Sequence, residues 1–150
     1  MNHYLYTSLA AALTTLALTT MRAHAADPVA AAAAKAPGAV VTASGLVYLS
    51  LKEGGGASPK AIDTVRVHYR GTLADGREFD SSYKRGEPIE FPLSGVIPCW
   101  TEGVQRMKVG GKSRLTCPSA IAYGARGAGS LIPPNTTLLF EVELLAINGK

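Results

Sequence analysis

The chain reads as an α+β domain, a curled antiparallel sheet with one short helix laid across one of its faces. Three observations carry that reading. Val65, Val67, Tyr69 and Leu73 alternate with Arg66, His68, Arg70 and Thr72, the period of a half-buried antiparallel strand. Only one segment has the helical period, with Trp100, Val104 and Met107 at i, i+4 and i+7. A length of 150 residues leaves room for one ordinary domain.

The first element is not part of that domain. Leu9 to Leu18 is an apolar run followed by Ala23-His24-Ala25, the small residues at −3 and −1 that signal peptidase requires. The run is shorter than the roughly 20 residues of a membrane span. Residues 1–25 are therefore expected to be a signal peptide cleaved after Ala25, with a periplasmic or secreted product and no transmembrane segment in the mature chain. Cleavage removes His3 and His24 and leaves His68 as the sole histidine. Export also places Cys99 and Cys117 where a disulfide is the default expectation. Residues 26–42, Ala-rich with Asp27-Pro28 and Ala36-Pro37-Gly38, have no apolar stripe and read as a flexible tether. They are too short for a long dimerisation helix, so a monomer is expected. The globular domain is residues 43–150.

Within it, Gly45 to Leu51 is a strand that ends at Gly54-Gly55-Gly56. The central strand, Thr64 to Leu73, turns back at Asp75-Gly76 into a partner carrying Glu78-Phe79-Asp80. An irregular loop starts at Asp80-Ser81-Ser82, and Ile89-Glu90-Phe91 is a short extended piece. The helix has Glu102 in its first turn, Lys108 near its last, and Gly110-Gly111 as its cap. Lys112 to Cys117 resumes alternation with Leu115 inward. After a Gly-rich loop from Gly124 to Gly129, Thr137 to Ile147 is the last strand, with Phe140, Val142 and Leu144 on one face. The total is about five antiparallel strands and one helix.

Composition removes several chemistries. A formal charge of +4 without a dense Lys/Arg stripe argues against a nucleic-acid partner. Two cysteines are too few for an iron–sulfur centre or a multi-Cys zinc site, and no metal or cofactor is expected. Gly111-Lys112-Ser113 resembles the end of a phosphate-binding loop, but Arg106 stands where that loop needs glycine. His68, between Arg66 and Arg70, reads as a solvated surface residue. What remains is aromatic: Tyr69, Phe79, Phe91, Trp100, Tyr123 and Phe140. Their plain reading is core. Their positions at element ends and beside loops, with Asp80 directly after Phe79, also suit a pocket for an apolar ligand.

Residues 43–150 resemble the FKBP-type peptidyl-prolyl isomerases. The matching stretches are Val67-His68-Tyr69-Arg70-Gly71-Thr72-Leu73, Asp75-Gly76, Phe79-Asp80-Ser81-Ser82, Val96-Ile97-Pro98, Trp100, Ala122-Tyr123-Gly124, Ile132-Pro133-Pro134-Asn135-Thr136 and Phe140-Glu141-Val142-Glu143-Leu144. The resemblance implies an FKBP-like sheet wrapped around the helix, with a pocket between them. Trp100 would be its floor and Tyr69, Phe79, Asp80, Tyr123 and Phe140 its walls, joined by Ile89 and Phe91. Val96, Ile97, Leu131 and Ile132 would form the rim, with Arg85 near Asp80. The implied activity is rotation of X–Pro bonds in exported polypeptides, with Asp80, Tyr123 and Trp100 as catalytic residues. Proline-containing chains and rapamycin- or tacrolimus-type molecules would be the ligands. The resembled fold also brings Cys99 and Cys117 close enough for a disulfide. Four departures bear on ligand fit: Ile89 replaces a phenylalanine, the loop from Phe91 to Val96 is two residues short, Ala128 replaces a histidine, and Cys99 stands where glycine is common. A non-catalytic chaperone or a partner-docking module could use the same pocket. The complete aromatic set, Asp80 included, favours the enzyme.

Overall fold

A computed structural model describes residues 27–148; the expected signal peptide and cleavage site lie outside the described residues. The helices are α1 (Pro28–Ala34), α2 (Ser82–Arg85) and α3 (Pro98–Gln105). The strands are β1 (Val40–Val41), β2 (Val47–Lys52), β3 (Thr64–Leu73), β4 (Glu78–Ser81), β5 (Ile89–Pro92), β6 (Lys112–Cys117) and β7 (Leu138–Ile147). Among the described residues no helix is long and apolar enough to cross a membrane. All seven strands form one antiparallel sheet in the order β1-β2-β6-β7-β3-β4, with β5 also paired to β3. The sheet is thus wider than the five strands expected, because β1 and β5 are too short to show a period.

β3 is the axis of the sheet, and its alternation is as the sequence predicts. Val65, Val67, Tyr69 and Leu73 are buried while Arg66 and Arg70 are exposed. One edge of β3 pairs with β7 along nearly its whole length. The other edge is shared: β5 takes Thr64 to Val67 and β4 takes Arg70 to Thr72. His68 and Tyr69 lie in the gap between them. The gap is filled by Ser82, whose hydroxyl accepts the Tyr69 N–H at 2.7 Å and lies 3.2 Å from the Tyr69 carbonyl. A side chain therefore stands in for the missing rung, since a buried backbone donor needs a partner. The loop expected after Asp80 is accordingly a one-turn helix, capped by Ser81 on the Lys84 N–H and closed by Gly86 at φ +74°.

The helix α3 lies on the concave face, and its boundaries differ from expectation. It starts at Pro98, so Glu102 falls in its middle, and it ends at Gln105, so Met107 is buried beyond it. Gly110 and Gly111 do not cap it. They exchange hydrogen bonds with Leu144 of β7, at 2.8 and 3.0 Å, and so extend the sheet. Gly111 is required by close approach: a Cβ there would meet the Lys108 carbonyl oxygen at 2.9 Å.

The segment expected as a flexible tether is instead α1 followed by β1. The Asp27 carboxylate accepts the N–H groups of Val29 and Ala30, and Pro28 occupies the first turn, where its missing N–H costs nothing. Five consecutive alanines then supply helix propensity without any apolar stripe. The Thr137 hydroxyl donates to the same Asp27 carboxylate, fixing α1 to the start of β7. α1 rests against β2 and β6 on the face opposite α3, over Val47 and Thr116.

Candidate active site

Between α3 and the concave face of the sheet lies a cleft of about 630 Å³. Trp100 is its floor, held from the first turn of α3 and only 4% exposed. Three rings stand edge-on around it: Tyr69 of β3 at 5.1 Å, Phe91 of β5 at 5.4 Å and Phe140 of β7 at 5.4 Å. Such perpendicular contacts each add about 0.5–1.5 kcal/mol beyond burial and fix the rings in orientation. Phe79 of β4 meets Phe140 edge-on at 5.5 Å. The space for that pair comes from Gly71, where a Cβ would lie 2.4 Å from the Phe79 ring and 2.9 Å from Phe140. Ile89, Gly95, Val96, Ile97 and Tyr123 complete the lining.

One wall is polar. The Tyr69 hydroxyl donates to Asp80, and Arg85 binds the other carboxylate oxygen at 2.6 Å. Arg85 also reaches the Tyr69 hydroxyl oxygen at 3.3 Å, and the Ser81 N–H donates to Asp80 at 2.9 Å. Burial, with the Asp80 carboxylate beside it, pushes the Tyr69 hydroxyl up to about 12. Burial alone would raise the Asp80 carboxyl, but the hydrogen bonds from Tyr69 and Arg85 outweigh it and hold the group below its ordinary value. At neutral pH the wall is thus a neutral phenol, a carboxylate and a guanidinium in fixed contact. A carboxylate so engaged is a poor base and a well-oriented dipole.

The cleft gathers Asp80, Tyr123, Trp100, Tyr69, Phe79, Ile89, Phe91, Val96, Ile97 and Phe140, the positions the resemblance implies. It does not gather Leu131 and Ile132. The loop folds back so that Ala128 and Ile132 exchange backbone hydrogen bonds, which turns Ile132 into the core and leaves Leu131 60% exposed. His68 is not a free surface residue either. Its Nδ1 lies 2.8 Å from the Ser82 hydroxyl, its ring stacks on Tyr83 at 4.6 Å, and Tyr83 donates to Glu143. Gly95, Gly71 and Ser82 escape sequence reasoning because each acts through space or backbone, which residue type alone does not announce. Cys99 and Cys117 form a disulfide with a Cα–Cα distance of 5.8 Å. Among the described residues no group of three or more His, Cys, Asp or Glu could hold a metal ion.

The model of the family described as FKBP-type peptidyl-prolyl cis-trans isomerase matches residues 55–145. The chain is 61% identical over 117 residues to the FKBP-type peptidyl-prolyl cis-trans isomerase FkpA of Aeromonas hydrophila, covering 78% of this chain and 43% of that protein. It is 56% identical over 114 residues to the FKBP-type 22 kDa peptidyl-prolyl cis-trans isomerase of Escherichia coli strain K12, covering 76% and 55%. Among solved structures, FkpA from Escherichia coli superposes with a TM-score of 0.76 at 52% identity, covering 79% of this chain and 55% of that one. The chain spans about half the length of the curated relatives it matches.

Proposed function

The chain belongs to the FKBP-type peptidyl-prolyl cis-trans isomerase family, and from that membership we propose that it accelerates rotation about X–Pro bonds in polypeptides. The observation that carries the proposal is the Trp100 floor ringed by Tyr69, Phe91 and Phe140, with the Tyr69–Asp80–Arg85 wall beside it. Rotation about the amide faces a barrier of about 18–20 kcal/mol, set by resonance in the planar bond. A catalyst of this step needs neither nucleophile nor metal. It needs a site that binds the twisted amide better than either planar form.

Twisting breaks conjugation and leaves a carbonyl with less charge to hydrate. An apolar cleft holds such a group at a smaller desolvation cost than the planar amide. In this reading the proline ring seats on Trp100, between Phe140 and Phe91. The Tyr69 hydroxyl already donates its hydrogen bond to Asp80, so the substrate carbonyl meets a fixed dipole on that wall. Tyr123, at the mouth and 42% exposed, is free to offer its hydroxyl to the chain as it enters.

The apolar run Leu9 to Leu18, Ala23-His24-Ala25 and the buried disulfide together support action on exported proteins, outside the cytoplasm. Rapamycin- or tacrolimus-type molecules would compete for the same cleft. A protease-free isomerisation assay with and without rapamycin tests the reading. Acceleration that the ligand abolishes is expected; a folded, oxidised sample without acceleration would overturn it.

A further inference from the structure

The disulfide does more than cross-link the chain. We propose that the Cys99–Cys117 bond is a positioning device that fixes the roll of α3 about its own axis and thereby the placement of Trp100 in the cleft. The inference rests on the isomerase reading for its kinetic arm only.

Cys99 and Gly103 are four residues apart and share one face of α3, while Leu115 and Cys117 are two apart and share one face of β6. The helix row lies directly along the strand row. At one end Cys99 is bonded to Cys117. At the other end the helix approaches so closely that a Cβ on Gly103 would lie 2.8 Å from both Leu115 methyl groups. Gly103 permits contact but does not resist rotation, because it has no side chain to interlock. The covalent bond supplies that resistance. Both cysteines are fully buried.

Trp100 follows Cys99 directly, at the N-terminal end where the helix has Pro98 but no side-chain cap. A polar tie at this end, the Thr101 hydroxyl on the Leu93 carbonyl at 2.6 Å, runs to the short 3-10 turn Leu93–Gly95 and not to the sheet. The bonds of Ser44 to Glu102 and of Tyr48 in β2 to the Arg106 carbonyl lie farther along the helix and past its C-terminal end. A roll of about 20° moves a side chain about 5 Å from a helix axis by about 2 Å. That exceeds what the three edge-on rings tolerate and would tilt the floor of the cleft. Misplacement by about 1 Å can cost up to about a hundredfold in rate, so even partial release should be visible.

Trp100 is the only tryptophan, so its emission reports the floor alone. The test compares wild type with Cys99→Ala/Cys117→Ala, well below the melting temperature of both, by kcat/KM and by Trp100 fluorescence anisotropy. Ile147→Ala, at the far end of β7, serves as a variant of lowered stability with the disulfide intact. The proposal expects the cysteine pair, and not Ile147→Ala, to lose about tenfold in kcat/KM, with a fall in Trp100 anisotropy. A lower melting temperature with both readings unchanged would overturn it, because a plain stabilising cross-link predicts that result. If the alanine pair does not fold, wild type refolded with and without thiol reductant gives the same comparison. An inert wild type would defeat the isomerase reading, and the anisotropy arm would still decide the positioning.

Discussion

Tyr69 serves the cleft from both its ends. Its ring meets Trp100 edge-on, its hydroxyl holds Asp80, and its backbone N–H is held by Ser82. Asp80 in turn is clamped by Arg85, so the polar wall has little freedom to reorganise. Asp80→Leu should therefore lower kcat/KM by about tenfold or more with the far-UV circular dichroism unchanged. Unchanged turnover would remove Asp80 from the mechanism. The pH dependence follows from the same pair. Asp80 titrates below its ordinary 3.8, so its contribution is present above that value and is lost as pH falls through the lower folded pKa. Tyr69 is raised from 10.0 to about 12, so its contribution is intact below 10 and is lost as pH rises towards 12. Activity should hence be flat from about pH 5 to about pH 9, and a bell inside that window would contradict the assignment. Of the residues expected in the cleft, the aromatic set Tyr69, Phe79, Phe91, Trp100, Tyr123 and Phe140, with Asp80 beside Phe79, was legible from residue type and placement. Ile89, Val96 and Ile97 followed only from the family resemblance. Leu131 and Ile132 were not legible, since which of two adjacent apolar residues turns inward depends on a backbone bridge and not on composition.

At the scale of elements, the weak point of the sheet is the gap in β3 pairing at His68 and Tyr69. Ser82 is fully buried there, and its hydroxyl is the partner of the Tyr69 N–H. Ser82→Ala leaves that donor unpaired and should cost about 1–3 kcal/mol in chemical unfolding. A loss below about 0.5 kcal/mol would show that the rung is dispensable. Long strands such as β3 and β7 were legible because burial on one face writes period two into ten residues. The two-residue β1 and one-turn α2 have no room for a period. α1 escaped for a different reason: a helix of five alanines after Pro28 and Val29 has no stripe to detect. Its signal was Asp27-Pro28, an N-cap residue followed by proline at the first helical position.

Across the whole molecule, one sheet is covered by α3 on the concave face and by α1 on the other, and the cleft opens beside α3 where β3, β4, β5 and β7 supply its walls. The disulfide bonds the helix that carries the floor to β6, in the middle of the sheet, across 18 residues of chain. In the chain-entropy model a closure of that length stabilises by about 3 kcal/mol. Removing both cysteines should lower the denaturant midpoint accordingly, and an unchanged midpoint would show that the denatured chain gains nothing from release. The most direct test of the whole account is exchange NMR on a short Leu-Pro peptide with a catalytic amount of protein. Faster cis–trans exchange at an unaltered cis:trans ratio is expected, suppressed when rapamycin fills the cleft. Peptide resonances that shift on binding while the exchange rate stays at its uncatalysed value would contradict it, and would make the cleft a docking site.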